Sequence, residues 1–299
     1  MYINHNQMAS NVANTLTSHY GNLQTSTQRL SSGLRVNSAA DDAAGLAIRE
    51  LMRSDIAALN QGVRNANDAI SLLQTADGAL GVIDEKLVRM KELAEQAATG
   101  TYDSTQRLMI ESEYQAMASE ITRIANSTDF NNIKLLDGNL SSDKHVGKGG
   151  DDSGLSSTGK LKVHFGSAND SAEDYYYIQI GTSTASALGV GNQASDKADA
   201  YTVSTQEAAQ KALVGINNAI VSKDKIRAHL GALQNRLENT ITNLTTQAEN
   251  LQAAESRISD VDVATEMTQF VRNQILTQSA VAMLSQANSM PQMAMQLIG

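Results

Sequence analysis

Apolar residues recur at alternating spacings of four and three along three separated stretches of this chain, a period that leaves few folds open other than packed helices. In the first stretch Met52, Ile56, Leu59, Val63, Ala66, Ile70 and Leu73 keep the spacing, and Leu80, Leu87 and Met90 continue its register. Asp77 and Asp84 fall on seam positions, but Ala76 and Ile83 stand one residue earlier, so the stripe drifts around the helix instead of ending. Gly100 and then Tyr102-Asp103-Ser104 supply a stop and a fresh N-cap. Ile110, Tyr114, Met117, Ile121 and Ile124 form a second, shorter stripe. The third is as regular, with Leu230, Leu237, Leu244, Leu251 and Ile258 seven apart and Leu233, Ile241, Ala248 and Val261 between them. One proline in 299 residues, Pro291, leaves long helices unobstructed. The expected fold is mainly α: an antiparallel coiled-coil helical rod with paired N- and C-terminal helices and a small β-rich insertion at its distal end.

The insertion announces itself by a change of character. Half of the chain's 20 glycines fall between Gly138 and Gly191. Leu161 to Phe165 and Tyr175 to Ile180 read as short strands set among Ser, Asp and Gly turns. Its Ser and Thr content suits either an O-glycosylated surface or a plain solvated loop region. The expected division is 1–40 and 256–299 as terminal helices, 41–138 and 204–255 as the rod, and 139–203 as the insertion.

The ends differ from ordinary solvated helices. Met1 to Gln28 contains no Lys, Arg, Asp or Glu, and from Val263 to Gly299 only Glu266 and Arg272 are charged. Both ends nevertheless carry apolar stripes: Met8, Val12, Leu16, Tyr20 and Leu23 at one, Val263, Met267, Val271 and Ile275 at the other, with Leu284 further along. Gln274, Gln278, Ser285, Gln292 and Gln296 lie along one side at roughly helical spacing. A lone amphipathic helix is marginal in water, since most helix stability comes from packing. The ends therefore either stay loosely ordered until other copies cover them, or pair within one molecule as a bundle.

Composition removes several classes of function. Net charge is −9 and the 23 Lys and Arg are dispersed, which does not suit nucleic acid. No cysteine means no disulfide, thiolate metal site or cysteine nucleophile, and no stretch is apolar enough to span a membrane. The first 28 residues lack the basic start and apolar run of a secretory signal peptide. His5, His19, His145, His164 and His229 are scattered, without an H-E-x-x-H pair, and neither a G-x-S-x-G elbow nor a P-loop occurs. Asp41-Asp42 and Asp151-Asp152 read as caps and turns. No enzyme activity, cofactor or metal is expected.

Longer motifs then carry a family resemblance. The run Arg29-Leu30-Ser31-Ser32-Gly33-Leu34-Arg35-Val36-Asn37-Ser38-Ala39-Ala40-Asp41-Asp42-Ala43-Ala44-Gly45 resembles the signature of bacterial flagellins, and Arg64-Asn65-Ala66-Asn67-Asp68-Ala69-Ile70-Ser71 continues it. Phe130 to Gly138 resembles the segment leaving the outgoing helices. Ser256-Arg257-Ile258-Ser259-Asp260, Ala264-Thr265-Glu266, Gln274-Ile275-Leu276, Gln286-Ala287-Asn288 and Pro291-Gln292 resemble the far end. The resemblance covers about residues 1–138 and 205–299 and implies a secreted, extracellular subunit of the flagellar filament used for swimming. It implies a homopolymer, export unfolded by the flagellar type III apparatus with its chaperone, and contact with filament cap and junction proteins. In that family the terminal helices form inner tubes and the rod an outer tube. Gln274, Gln278, Gln292 and Gln296 would then line the channel, or merely fill a polar face. Arg89, Leu93, Gln96 and Glu113 fall where similar flagellins meet an animal Toll-like receptor; Arg89 and Glu113 could equally be a surface ion pair. A hook-filament junction protein is the nearer rival, and a soluble coiled-coil scaffold the third reading.

Overall fold

A computed structural model describes residues 6–141, 159–166, 168, 170, 174–191 and 202–298, and of 294–298 the backbone alone. Its residues group into two compact units, one of 1–57 with 248–299 and one of 58–247. Among the described residues there are five helices: α1 Gln7–Ser32, α2 Ala43–Ala98, α3 Ser104–Ser127, α4 Gln206–Ser259 and α5 Val263–Ile298. Between α3 and α4 lie four short strands, β1 Asp129–Phe130, β2 Ile133–Lys134, β3 Leu161–His164 and β4 Tyr175–Ile178, paired as two antiparallel hairpins. The mainly helical class with a small β insertion is thus what the sequence led us to expect.

The larger unit is built on the predicted seams. Leu73, Leu80, Ile83, Leu87, Met90 and Leu93 of α2, Tyr114 and Ile121 of α3, and Leu230 and Leu237 of α4 have at most 1% of their surface exposed. Each such aliphatic or methionine side chain contributes about 1.5–3 kcal/mol relative to an exposed one. Ala76 and Ile83 carry the drift of the α2 stripe and are fully buried. Asp77 and Asp84, one residue on, turn to α4 and meet Arg227 and Lys223. Where α2 stops, Gln106 accepts a hydrogen bond from the Asp103 N–H at 3.1 Å, part of the capping box that opens α3.

The hairpins follow local chemistry. Asn131 and Asn132 join β1 to β2 with φ of 49° and 63°, the left-handed pair that a two-residue hairpin turn needs and that asparagine tolerates best after glycine. Leu135, Leu136 and Leu140 then drop into the core with no exposed surface. The end of β3 presses on α2 so closely that a Cβ on Gly62 would stand 2.0 Å from the Phe165 carbonyl oxygen, so only glycine fits there. Asn65 Nδ2 donates to the His164 carbonyl at 2.8 Å just beyond it.

Candidate assembly surface

In the smaller unit α1 lies against α5. Asn6 caps α1 by accepting from the Ala9 N–H at 3.0 Å, and its amide donates across to the Ala287 carbonyl at 2.8 Å. At the other end Arg29 approaches Glu266 at 3.7 Å. Those two contacts run the helices antiparallel. The residues withdrawn from solvent include Ala9, Val12, Leu16, His19, Leu23, Ser26 and Leu30 on α1, and Glu266, Phe270, Asn273, Thr277, Ala280, Leu284 and Ala287 on α5. Both sets have four-three spacing.

This seam is half-hearted as a core. Only Ser26, Thr277 and Ala287 of it are buried, and none of them completely. Polar side chains interrupt it, and the His19 Nδ1 and Arg29 Nε atoms are buried without a hydrogen-bond partner, each a cost in a dry environment. The stripe Val263, Met267, Val271 and Ile275 does not take part: those residues are 58, 44, 44 and 57% exposed. Met8 and Tyr20 of the α1 stripe also face outward, whereas Val12, Leu16 and Leu23 turn inward, as does Leu284 of α5. Val281 and Met283 are exposed too. At 100° per residue Gln274, Gln278 and Gln292 continue the angular position of the Val263 to Val271 stripe, and all three are exposed. Gln296 lies on α5, its side chain outside the described residues.

The connections between helices are better made than the seam. Gly33, at φ +72°, ends α1 in the left-handed conformation and its N–H donates to the Arg29 carbonyl at 2.8 Å. The chain then meets the break between α4 and α5. Arg35 N–H donates to the Ser259 carbonyl at 2.6 Å and Val261 N–H to the Gly33 carbonyl at 3.0 Å. The Arg35 guanidinium also reaches the Ile258 carbonyl at 2.7 Å. Buried Arg49 holds the Val36 carbonyl at 2.9 Å. Asp41 accepts from the Ser38 and Asn37 N–H groups, which hold its carboxyl below the usual carboxylate range. Asp42 caps α2 by accepting from Gly45 N–H at 2.9 Å. Asp262 opens α5; hydrogen bonds from the Thr265 hydroxyl and backbone lower its pKa likewise.

In the larger unit Arg89 forms an exposed cluster. Its Nη2 lies 2.8 Å from Glu113 of α3 and its Nη1 2.9 Å from Glu92. Hydrogen bonds to Glu113 first, then Glu92, raise the guanidinium pKa further. Gln96 is exposed and donates to the Tyr102 hydroxyl at 3.0 Å. Leu93 is 1% exposed and lies beneath that surface, in the core.

The described residues contain no group of three or more His, Asp or Glu placed to hold a metal, and no described helix is long and apolar enough to cross a membrane. His164 stacks on Tyr175 with ring centres 6.0 Å apart. His5, His145, Asp151 and Asp152 lie outside the described residues.

Comparison with known proteins adds independent findings. The family model for the bacterial flagellin N-terminal helical region matches residues 3–141, and that for the C-terminal helical region matches residues 213–298. The flagellar filament 33 kDa core protein of Treponema phagedenis is 40% identical over 298 residues, covering 100% of both chains. The flagellin of Bacillus subtilis strain 168 is 42% identical, again over 100% of both. A solved Vibrio parahaemolyticus structure described as a flagellar hook-associated protein has a TM-score of 0.56 at 13% identity, covering 74% of this chain and 100% of that one; the likeness is one of fold.

Proposed function

The chain belongs to the bacterial flagellin family and is a structural subunit of the flagellar filament, not an enzyme; from that premise we propose how its parts divide the work. Residues 1–40 and 256–299 form the inner core of the polymer, 41–138 and 204–255 the rod around it, and 139–203 the variable outer surface. The supporting observation is the outward stripe Val263, Met267, Val271 and Ile275, each 44% exposed or more on a helix whose own seam is interrupted by polar residues. A monomer gains little by showing that face to water. A second copy that covers it supplies the apolar burial the α1 and α5 pair lacks, so the terminal helices become fully ordered on assembly. A junction protein is not favoured, because the relatives that match over the whole chain are flagellins and filament core proteins.

Limited proteolysis of monomer against polymer tests the coupling. Residues up to about 40 and beyond about 255 are expected to be cut in the monomer and protected in the polymer; equal protection in both states overturns it.

The finer roles belong to the same reading. The subunit is secreted to the extracellular filament, unfolded, by the flagellar export apparatus with its chaperone, and meets cap and junction proteins at the filament's ends. Past the covered stripe the same face of α5 continues as Gln278, Gln292 and Gln296, with Gln274 at the boundary, and these four give the channel a neutral lining, where fixed charges would retain charged stretches of a passing chain. Normal export and filament length in a Gln278→Lys, Gln292→Lys chain count against that lining. Arg89, Gln96 and Glu113 present the surface for a host Toll-like receptor, with Leu93 shaping it from below. Receptor signalling unchanged by Arg89→Ala in the monomer removes that surface from consideration.

A further inference from the structure

The seam of α4 passes through Ile216, Ala219, Lys223, Ile226, Leu230 and Leu233 at four-three spacing, so a lysine occupies a position the period reserves for an apolar residue. Its side chain is 2% exposed. The ammonium reaches Asp84 of α2 at 2.5 Å and its neighbour Asp224 at 2.8 Å. One turn further, Arg227 Nε donates to Asp77 of α2 at 2.7 Å and Nη2 to the other carboxylate oxygen at 3.2 Å. Burial opposes the charge on Lys223, and hydrogen bonds to Asp224 and Asp84 outweigh it.

The apolar seam does not by itself choose one register. On α2 the residues Leu73, Leu80 and Leu87 are seven apart, and on α4 Leu230, Leu237 and Leu244 are too. Sliding one helix by seven residues, about 10 Å at the rise of an α-helix, therefore sets leucine where leucine stood. The charges are not so forgiving. A slide in one direction brings Lys91 to the place of Asp84, opposite buried Lys223. A slide in the other brings Asp77 to Lys223 and leaves Arg227 beside Ile70. In the first case buried Lys223 exchanges Asp84 for a like charge and keeps only Asp224 beside it. In the second Arg227, whose side chain is 39% exposed, gives up its two-point contact with Asp77, and a buried cation that faces a like charge costs far more than a broken half-exposed pair. We infer that Lys223 with Asp84 and Arg227 with Asp77 fix the register in which α4 returns along α2, by excluding the one-heptad slips that the leucines accept. Their work is selection between alignments, since a buried ion pair adds little net stability over an apolar pair of similar volume.

The chain has no cysteine, so introduced pairs report register without background. In the full-length monomer, Leu80→Cys with Ile226→Cys reads the observed register, while Leu80→Cys with Leu233→Cys or with Ala219→Cys reads the two slips. With the native charges only the first pair is expected to close under mild oxidation. Replacing Asp77, Asp84, Lys223 and Arg227 together by leucine should raise the ratio of slipped to observed crosslink about tenfold or more, with helical content retained. A four-leucine chain that closes the first pair alone overturns the inference. Should that variant not fold, charge reversal decides: Lys223→Asp alone raises the slipped fraction, and adding Asp84→Lys restores the observed register. A reversed pair that slips as much as Lys223→Asp alone overturns it equally.

Discussion

The two units of this chain use one helical period to opposite ends. In the larger, the four-three stripes close on one another: leucine, isoleucine and methionine side chains of α2 and leucines of α4 reach zero or near-zero exposure, and the acids beside them find cations. In the smaller, Val36 is the only described apolar side chain larger than alanine with less than 9% exposure. There the α1 and α5 seam mixes His19, Ser26, Asn273 and Thr277 among its leucines, and the stronger apolar stripe looks outward. Equal periodicity therefore does not mean equal self-sufficiency. What separates the units is how far each stripe is covered within its own unit.

The sharpest way to separate them is to remove part of one. A chain lacking Val281–Gly299 should fail altogether to form filaments while keeping the helical signal and melting transition of the larger unit; filaments from that truncation would contradict the division. Next comes a matched pair of core changes. Leu80→Ala should cost the monomer about 2–5 kcal/mol in denaturant unfolding, whereas Leu16→Ala, from a half-buried seam, should cost less than half of that and act mainly on polymerisation. Similar losses in the monomer would erase the distinction. Smaller still for the monomer is Val271→Ser with Ile275→Ser, expected within about 0.5 kcal/mol of the parent in melting. The same variant should raise the concentration needed for polymerisation, measured by sedimentation, and no change there would mean that the outward stripe is not an interface.

The smallest effect is acid loosening of the smaller unit's connections. The folded pKa values of Asp41 and Asp262 lie below the ordinary 3.8. Their stabilisation is thus complete above that value and is lost as the pH falls through the lowered one. Amide exchange at Ser38 and Thr265, corrected for its intrinsic pH dependence, should accelerate in that window while the amides of Leu80 and Leu87 stay protected. Loss of protection at all four sites together would show that the units do not unfold separately.

Much of this was legible in the residues. The seams of α2, α3 and α4 follow directly from spacing, because those stripes are wide, regular and satisfied within the chain; the hairpin strands at Leu161 and Tyr175 follow from alternation between turn residues. The α5 side of the terminal seam was not, although Val12, Leu16 and Leu23 of the α1 stripe do turn inward. Periodicity selected Val263, Met267, Val271 and Ile275, the most apolar line on α5, and the chain turns Phe270, Thr277, Ala280 and Leu284 inward instead. On a helix with more than one apolar face the period identifies faces without saying which partner each meets. Leu93 was similarly opaque: its neighbours Arg89 and Gln96 are surface residues, and only the drift of the stripe carries Leu93 into the core. Lys223 left no signal of its own, since a charged residue inside a stripe reads as a break until Asp84 is seen across from it.

The backbone pairing of Gly33 and Arg35 with Ser259 and Val261 has a bearing on the order of events during folding. Arg35 and Ile258 are 223 positions apart, and Asn6 and Ala287 are 281 apart, while Arg89 and Glu113 are separated by only 24. Closing the longest loops first carries the greatest loss of chain entropy for the fewest contacts. Once Asp84 has met Lys223, the loop still to be closed shrinks to the two arms outside that pair. Pairing of the helices nearest the termini therefore carries the longest loop closure in the chain, and the contact between Asp84 and Lys223 is the one that shortens it.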